Sequence, residues 1–219
     1  MPTSTAVDRV ARSLKIPCHE TPTGWKFFSN LMDSGRCTIC GEESFGTSSD
    51  HIREKDGLWA VLCWLSILAN KRKAVTQLVQ DHWRNFGRSY FQRLDYEALD
   101  SGKAAEMLTV LRDRLPSLVR TTLASSVVTC ADDFSYTDPV DGSVTDRQGI
   151  RILLEDGSRI VCRLSGTGTG GATLRLYLER YRSEGGYEVD TMLGPLVQAA
   201  LSLLKIRERF GRMDPDVVT

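Results

Sequence analysis

The chain of 219 residues is 41% hydrophobic and 26% charged, which is an ordinary composition for a soluble globular protein. Its 28 basic and 28 acidic residues cancel, so the basic excess of a typical nucleic-acid-binding protein is missing. The most apolar run, residues 58–69, is shorter than the about 20 residues that a membrane-spanning helix needs. We therefore expect neither nucleic acid nor a membrane as a partner. This length allows one large domain or two small ones.

Residues 1–10 are polar and have no apolar core, so a secretory signal is not indicated. Six cysteines are spread over the chain, and Cys37 and Cys40 form its one CxxC motif. A zinc site would require two more ligands, and His51 is the one candidate nearby. We interpret the cysteines as structural, predict no metal site in this chain, and expect the reducing cytoplasm as its compartment.

The first 86 residues alternate between short strands and helices, a pattern typical of α/β domains. Helices are predicted at residues 2–14, 25–32, 58–69 and 75–86, a short extended segment at 16–20 and a strand at 37–40. The third of these helices is strongly apolar, which indicates that it is buried. Because the strands are too few to close a sheet, residues 1–87 are predicted to be part of a mixed α/β sandwich domain.

The pattern changes near residue 87, where we place a domain boundary. Residues 88–219 are predicted to form an α+β domain, in which an antiparallel sheet is packed by helices. The strands are predicted at 90–96, 127–130, 134–137, 150–155 and 158–164, and the helices at 104–115, 172–182 and 191–209. Asp156 and Gly157, between the last two strands, are a strong signal for a β-hairpin.

A glycine-rich segment, Arg163-Leu-Ser-Gly-Thr-Gly-Thr-Gly-Gly171, lies between a predicted strand and a predicted helix. Small residues allow the backbone to approach a ligand closely, and successive N–H groups at a helix N-terminus attract anions. The three hydroxyl groups of the segment are further donors. Arg163 and Arg175 flank it and can bind phosphate through paired hydrogen bonds. The segment therefore indicates a phosphate-binding loop.

Two other motifs and a plain connector compete for the same segment. Gly166, Gly168 and Gly171 match the GxGxxG fingerprint of dinucleotide-binding folds, but too little chain follows for a βαβ unit with an acidic partner. A Walker A loop would need Gly-Lys-Ser/Thr, which the sequence lacks. A connector without a ligand would leave the two arginines and three hydroxyls unexplained.

Two polar segments of the first part carry further candidates. Residues 41–46, Gly-Glu-Glu-Ser-Phe-Gly, suit hydrogen bonds from vicinal sugar hydroxyls, but they also suit a solvated acidic turn. Residues 50–57, Asp-His-Ile-Arg-Glu-Lys-Asp-Gly, stand directly before the apolar helix. Asp56 is placed to cap that helix. Arg53 and Lys55 either flank the helix or reach an anionic ligand, and the residues alone leave both interpretations open.

Together these segments resemble the phosphoglucomutases of the α-D-phosphohexomutase superfamily. The resemblance extends over essentially the whole chain and is carried by Glu20-Thr-Pro-Thr-Gly-Trp-Lys-Phe-Phe28, residues 41–46 and 50–61, Asp138-Pro-Val-Asp-Gly142, Arg163-Leu-Ser-Gly-Thr167 and Val217-Val-Thr219. The family has four domains around one cleft, and the chain resembles the later part of the third domain and all of the fourth. Ser48 and Gly170 are local departures, at positions where the family commonly has Gly and Ala.

The resemblance implies a role for each candidate residue. The substrate-binding residues would be Glu42 and Ser44 in the sugar-binding loop, Thr23 and Gly24 in another substrate loop, and Arg163, Ser165, Gly166, Thr167 and Arg175 on the phosphate that is not reacting. Lys55 would lie at the catalytic centre. The parent reaction interconverts glucose 1-phosphate and glucose 6-phosphate through a phosphoserine enzyme, Mg²⁺ and the intermediate glucose 1,6-bisphosphate.

Two elements of the family are missing from the 219 residues, a Ser-His-Asn-Pro-type loop with the phosphoserine and an Asp-Gly-Asp-Gly-Asp loop for Mg²⁺. The resemblance implies that both belong to N-terminal domains of the parent enzyme, so we expect the isolated chain to be inactive. One rival is a non-enzymatic paralogue, like the phosphoglucomutase-related protein of cell junctions, but its phosphate loop is degenerate and this one is intact. Another rival, a free-standing sugar-phosphate-binding module, requires the truncated first domain to fold.

Overall fold

The computed structural model describes residues 1–166 and 171–219 and contains two compact units. The first unit consists of residues 1–88, 136–145 and 183–185, and the second of residues 89–135, 146–182 and 186–219. Thr167, which the resemblance assigns to the phosphate, lies outside the described residues.

Helices and strands are mixed along the described residues, which confirms the predicted fold class, an α/β part followed by an α+β part. The helices are α1 (Ala6–Leu14), α2 (Trp25–Asp33), α3 (Gly57–Lys71), α4 (Val75–Phe86), α5 (Ser101–Leu118), α6 (Val189–Leu204) and α7 (Ile206–Phe210). The strands are β1 (Ile39–Gly41), β2 (Thr47–Ser49), β3 (Arg88–Leu99), β4 (Thr122–Leu123), β5 (Ser126–Asp133), β6 (Tyr136–Thr137), β7 (Val144–Thr145), β8 (Ile150–Leu154), β9 (Arg159–Ser165), β10 (Ala172–Arg182) and β11 (Val217–Val218). None of these helices combines the length and the apolar composition that crossing a membrane requires.

Helix α2 supplies half of the buried hydrophobic residues that the structure describes in the first unit. Its buried residues are Phe27, Phe28, Leu31 and Met32, and two of them cluster with Cys40 of the hairpin β1–β2. The hairpin β6–β7 packs on the same helix, because the rings of Tyr136 and Phe27 meet edge to face with centroids 5.4 Å apart. The Asn30 Nδ2 also donates a hydrogen bond to Asp138 Oδ2 at 3.0 Å. Residues 136–145 are thereby fixed to the N-terminal part of the chain.

The apolar helix α3 is not buried, which contradicts the prediction from its sequence. None of its residues is buried by the part of the chain that the structure describes, and Leu58 and Leu62 are 78% and 65% exposed. A strongly apolar sequence indicates a helix that is covered on several sides. The described sheets of the first unit are two-stranded hairpins, β1–β2 and β6–β7, which are too small to provide that cover.

The second unit is built on a seven-stranded sheet with the strand order β11-β3-β10-β9-β8-β5-β4. The pairs β9–β10, β8–β9 and β5–β8 are antiparallel, and α5 and α6 pack on one face of the sheet. The β8–β9 hairpin turns at Asp156 and Gly157, where Gly157 has a φ of +78°, so the predicted hairpin is confirmed. The predicted helix at 191–209 is divided into α6 and α7 at Lys205, whose φ is +53°.

Residues 172–182, predicted as a helix, form strand β10 instead. Leu174, Leu176 and Leu178 are fully buried in the core, and the residues between them belong to the opposite face, so the apolar period is 2 rather than 3.6. The pairing with β9 is continuous from Thr173 to Glu179. The glycine-rich segment therefore connects two neighbouring strands, and the contribution of a helix N-terminus to anion binding does not apply.

Candidate functional site

The loop between β1 and β2 is closed around Glu42. Its backbone N–H donates to the Gly46 carbonyl at 2.8 Å, and its side chain is only 6% exposed. The Glu42 Oε1 accepts a hydrogen bond from the Gly24 N–H at 3.1 Å, and its Oε2 lies 2.8 Å from Lys55 Nζ. One carboxylate thus brings together Gly24, Glu42 and Lys55, three of the residues that the sequence singles out.

Lys55 fits beside this carboxylate because residue 46 is glycine. A Cβ at Gly46 would lie 2.7 Å from the Lys55 Cδ and 2.8 Å from its Cε, so a larger residue would displace the lysine. The hydrogen bond to Glu42 raises the pKa of Lys55 above its ordinary value. Lys55 therefore carries its proton at neutral pH and acts as a hydrogen-bond donor and positive charge rather than as a base.

Thr23 and Ser44 are not joined to this carboxylate. The Thr23 hydroxyl oxygen is buried and has no hydrogen-bond partner among the described residues, which is uncommon for a buried polar atom. Ser44 is exposed near the tip of the loop, next to Phe45, which is 83% exposed and has a φ of +63°. The loop tip thus presents Ser44 to solvent, where a ligand can reach it.

The segment in front of α3 is organised by Asp56. Its Oδ1 accepts a hydrogen bond from the Trp59 N–H at 2.9 Å, which confirms the predicted helix cap, and its Oδ2 lies 2.9 Å from His51 Nε2. The His51 Nδ1 lies 2.6 Å from Ser49 Oγ, so three side chains link β2 to the start of α3. The bonds from the Trp59 N–H and from His51 lower the pKa of Asp56 below its ordinary value.

Arg53 and Lys55, the two cations of this segment, have different surroundings. The Arg53 Nε donates to Asp33 Oδ1 at 2.7 Å, and its Nη1 donates to the Asp50 carbonyl at 2.7 Å. These bonds favour a structural role for Arg53. Lys55 instead lies with the residues that the sequence assigns to the sugar.

In the second unit, Arg163 and Arg175 are direct cross-strand partners in the β9–β10 pair. Side chains directly opposite each other in an antiparallel pair lie on the same face, with Cβ atoms about 4.5–5.5 Å apart. Like charges directly opposite each other are unfavourable in a sheet, and an anion bound by both guanidinium groups would offset this. The Arg163 Nε donates to the Gln148 carbonyl at 3.2 Å. The Arg175 Nε lies 3.6 Å from Asp95 Oδ2.

Ser165 and Gly166 stand at the end of β9, where the glycine-rich segment begins. Ser165 is the cross-strand partner of Thr173. Gly166 and Gly171 have φ values of +66° and +90°, backbone conformations that favour glycine strongly. A Cβ at Gly171 would lie 2.9 Å from the Leu99 carbonyl oxygen. Glycine at this position therefore allows β10 to begin close against β3.

The sequence interpretation missed Asp95, a carboxylate on β3 that is only 3% exposed. Its Oδ1 lies 3.0 Å from Arg93 Nε and its Oδ2 lies 3.6 Å from Arg175 Nε. Residues two apart in a strand share a face, so the Arg93-Leu-Asp95 pattern within a predicted strand was a signal for the first of these ion pairs. Acidic residues are almost never fully buried unless they are paired.

The described residues do not fit a magnesium site. They contain no group of three or more His, Cys, Asp or Glu side chains that could hold a metal ion. Burial raises the pKa of the Cys40 thiol in the CxxC motif to about 11, so this cysteine is protonated at neutral pH.

Comparisons with known proteins connect this geometry to a family. Residues 1–86 match the family model described as "Phosphoglucomutase/phosphomannomutase, alpha/beta/alpha domain III", and residues 88–216 match "Phosphoglucomutase-1, C-terminal domain". The whole chain aligns with a phosphoglucomutase of Rhizobium radiobacter at 54% identity over 222 residues and with phosphoglucomutase-1 of Oryctolagus cuniculus at 51% over 230 residues. In both cases it covers 41% of the relative's length.

Solved structures give the same result. The whole chain superimposes on 39% of pp63/parafusin from Paramecium, described as a phosphoglucomutase, with a TM-score of 0.92 and 46% identity. A putative phosphomannomutase from Thermus thermophilus matches 92% of the chain, and 34% of its own length, with a TM-score of 0.61 at 20% identity, which shows likeness of fold alone. Because the two family models account for almost all of its residues, the chain belongs to the phosphoglucomutase/phosphomannomutase family.

Proposed function

We propose that this chain is the substrate-holding part of a phosphoglucomutase, the isomerase that interconverts glucose 1-phosphate and glucose 6-phosphate through a phosphoserine enzyme and glucose 1,6-bisphosphate. The observation that carries the proposal is the cross-strand pair of Arg163 and Arg175 beside the glycine-rich segment. Relatives named phosphoglucomutase match the chain from end to end at 50% to 54% identity. The chain spans about two fifths of their length, so the activity of the whole enzyme is part of the proposal.

The second unit would hold the phosphate group that is not reacting. Arg163 and Arg175 would supply charge-assisted hydrogen bonds to its oxygens. Ser165 and Thr167 would add hydroxyl donors, and Gly166 would let the backbone N–H approach the phosphate closely. Charge and geometry then select a dianion over an uncharged sugar.

The first unit would recognise the sugar. The Glu42 carboxylate already accepts one hydrogen bond from Gly24 and pairs with Lys55, but each carboxylate oxygen has a second lone pair for a sugar hydroxyl. Ser44 at the exposed loop tip and Thr23 beside Gly24 would complete the contacts. This unit would therefore determine which hexose is accepted.

Lys55 would be the catalytic residue of this chain. Its raised pKa keeps it protonated, and its side chain is 45% exposed, so it can reach a substrate. A fixed ammonium group stabilises negative charge that develops on the transferring phosphoryl group, or donates a proton to a sugar oxygen. Glu42 would set its position.

The nucleophile and the metal of the complete enzyme are proposed to lie outside these 219 residues. The sequence contains neither a Ser-His-Asn-Pro-type loop nor an Asp-Gly-Asp-Gly-Asp loop, and the described residues do not fit Mg²⁺. We further propose one domain for residues 1–87 with the sugar-binding loop and another for residues 88–219 with the phosphate-binding loop. A cytoplasmic location is proposed as well, on the analogy of a cytoplasmic relative in Arabidopsis thaliana, which also has a chloroplastic one.

The experiment that tests the proposal is an NMR titration of the 219-residue chain with glucose 6-phosphate. We expect the amide signals of Gly166 and Gly171 to shift, with a Kd in roughly the millimolar range that becomes weaker as salt is added. Arg163→Ala or Arg175→Ala should each remove a charge-assisted hydrogen bond worth about 1.5–3 kcal/mol.

Arg182→Ala is the matched control, because Arg182 lies on the same strand as Arg175 and the two side chains are 35% and 36% exposed. This variant should bind glucose 6-phosphate as the unmodified chain does. If Arg182→Ala lowers the affinity for glucose 6-phosphate as much as Arg163→Ala and Arg175→Ala do, the binding depends on overall positive charge and not on a specific site. Gly166 and Gly171 signals that stay in place would contradict the phosphate assignment.

A further inference from the structure

The sheet face opposite α5 and α6 carries a column of cross-strand pairs from β9 and β10. Arg159 faces Glu179, and two pairs further along Arg163 faces Arg175. The first pair is a buried ion pair with 2.8 Å between Arg159 Nε and Glu179 Oε2, whereas the second is a pair of like charges. Like charges directly opposite each other destabilise a sheet, so the second pair requires a compensating group.

Asp95 of β3 is that group on the Arg175 side. Its carboxylate lies between two guanidinium groups, with Oδ1 3.0 Å from Arg93 Nε and Oδ2 3.6 Å from Arg175 Nε. The backbone of Asp95 is fixed as well, because its residue pairs with Val217 of β11 and its carbonyl accepts the Asp216 N–H at 2.8 Å. A buried carboxylate on a doubly paired strand is a rigid anchor.

The three side chains Arg93, Asp95 and Arg175 together carry one net positive charge. The side chain of Arg93 is 18% exposed and that of Asp95 4%, but the Arg175 side chain is 36% exposed. Arg93 therefore offsets the carboxylate, which would otherwise repel an anion near Arg175. The exposed end of the triad is the arginine that the proposed function assigns to the phosphate.

We propose that Asp95 is a positioning residue for phosphate binding: its carboxylate, 3.6 Å from Arg175 Nε, attracts the guanidinium group by charge and orients it before the phosphate arrives. The contact is an ion pair and not a hydrogen bond, because the buried Arg175 Nε has no hydrogen-bond partner among the described residues. This inference rests on the proposed function. A guanidinium held in place loses less conformational freedom on binding, and its planar fork matches two phosphate oxygens only in one orientation. Asp95 acts through Arg175 and does not itself contact the substrate.

The test compares Asp95→Asn with Glu179→Gln in the 219-residue chain. Both replacements remove one charge from a buried ion pair on the same sheet face, but only the first pair includes Arg175. With inorganic phosphate and glucose 6-phosphate as titrants, we expect Asp95→Asn to weaken binding about tenfold, because the lost orientation of Arg175 outweighs the removal of a negative charge that Arg93 already offsets. Glu179→Gln should change the affinity less than about twofold, although its melting temperature falls because a buried partner is left unpaired.

A second measurement requires no replacement. In the unmodified chain, the Nε–Hε group of Arg175 should be as rigid as the backbone, with an NMR order parameter near about 0.85. An order parameter below about 0.6, or an affinity that Asp95→Asn leaves unchanged while Arg175→Ala lowers it, overturns the inference and leaves the proposed function intact. If neither Arg163→Ala nor Arg175→Ala changes the affinity, both the proposed function and this inference are overturned.

Discussion

Lys55 Nζ and Glu42 Oε2 lie 2.8 Å apart, and this ion pair joins the loop at residues 41–46 to the segment in front of α3. The other oxygen of the same carboxylate accepts the Gly24 N–H. Three segments that are distant in the sequence are therefore fixed to each other by one side chain. The arrangement of the candidate sugar-binding residues therefore depends on the Glu42 side chain.

Glu42→Gln should lower the pKa of Lys55, because the hydrogen bond to Glu42 is the main cause that raises it. Because the pKa of Lys55 is raised, its ion pair with Glu42 stabilises the folded chain fully at pH values below the ordinary pKa of 10.5. This stabilisation is lost as the pH rises through the raised pKa. An NMR titration of the lysine side chains measures this change. Glu43→Gln is the control and should lower the pKa of Lys55 less, since Glu43 is the smallest of the causes. Equal effects of the two replacements would contradict the assignment.

Asp56→Ala should loosen the first turn of α3, whereas Asp56→Asn should keep much of the cap, because asparagine also accepts a backbone N–H. The pKa of Asp56 is lowered in the folded chain, so the cap stabilises the helix fully at pH values above the ordinary pKa of 3.8. That stabilisation is lost as the pH falls through the lowered value. Hydrogen exchange of the Trp59 amide follows both effects. An exchange rate in Asp56→Ala equal to that of the unmodified chain would show that the first turn of α3 does not depend on the Asp56 side chain.

Local signals were the part of the fold that the sequence predicted well. The Asp56 cap and the Asp156-Gly157 turn each depend on a few neighbouring residues, and both are present in the structure. Leu174, Leu176 and Leu178 of strand β10 alternate, but a short apolar pattern does not separate strand from helix until the partner strand is known. The exposure of α3 was missed for a similar reason, since burial is a property of the surrounding chain.

The candidate site, like the fold, could be predicted from the sequence only in part. The glycine-rich segment and the two arginines are visible in the sequence as residue types, but their cross-strand pairing depends on the register of β9 and β10. The contact between Asp95 and Arg175 and the hydrogen bond between Gly24 and Glu42 join residues that are distant along the chain. No local pattern encodes such contacts, so these parts of the site required the structure.

Leu62→Ala in α3 should change the free energy of unfolding by no more than about 0.5 kcal/mol, as is usual for surface positions, because Leu62 is 65% exposed. The matched replacement Leu111→Ala in α5 should cost about 2–5 kcal/mol, because Leu111 is only 2% exposed and lies in the core of the second unit. Urea unfolding followed by fluorescence and circular dichroism measures both. A large loss at Leu62 would mean that the apolar face of α3 is covered in solution.

Lys55→Met should lower kcat more than it raises KM in a complete enzyme, made by joining this chain to the N-terminal remainder of the Rhizobium radiobacter phosphoglucomutase. A proton donor or stabilising charge acts mainly in the transition state, and the loss of such a group typically costs about 10²–10⁴-fold in rate. Lys26→Met is the control, because Lys26 is exposed on α2 and contacts the Phe27 ring. An unchanged kcat for Lys55→Met would show that Lys55 flanks α3 and has no catalytic role.

A mutase assay decides whether these 219 residues hold hexose phosphate without transferring its phosphoryl group. The assay uses glucose 1-phosphate, Mg²⁺ and glucose 1,6-bisphosphate, with the isolated chain and the joined enzyme side by side. We predict no turnover by the isolated chain, since it lacks a positioned nucleophile and cation. The joined enzyme should turn over and lose most of its kcat/KM with Arg163→Ala or Arg175→Ala. Turnover by the isolated chain in a preparation free of host mutase would contradict the proposed function. A joined enzyme whose kcat/KM is unchanged by both Arg163→Ala and Arg175→Ala would contradict it as well.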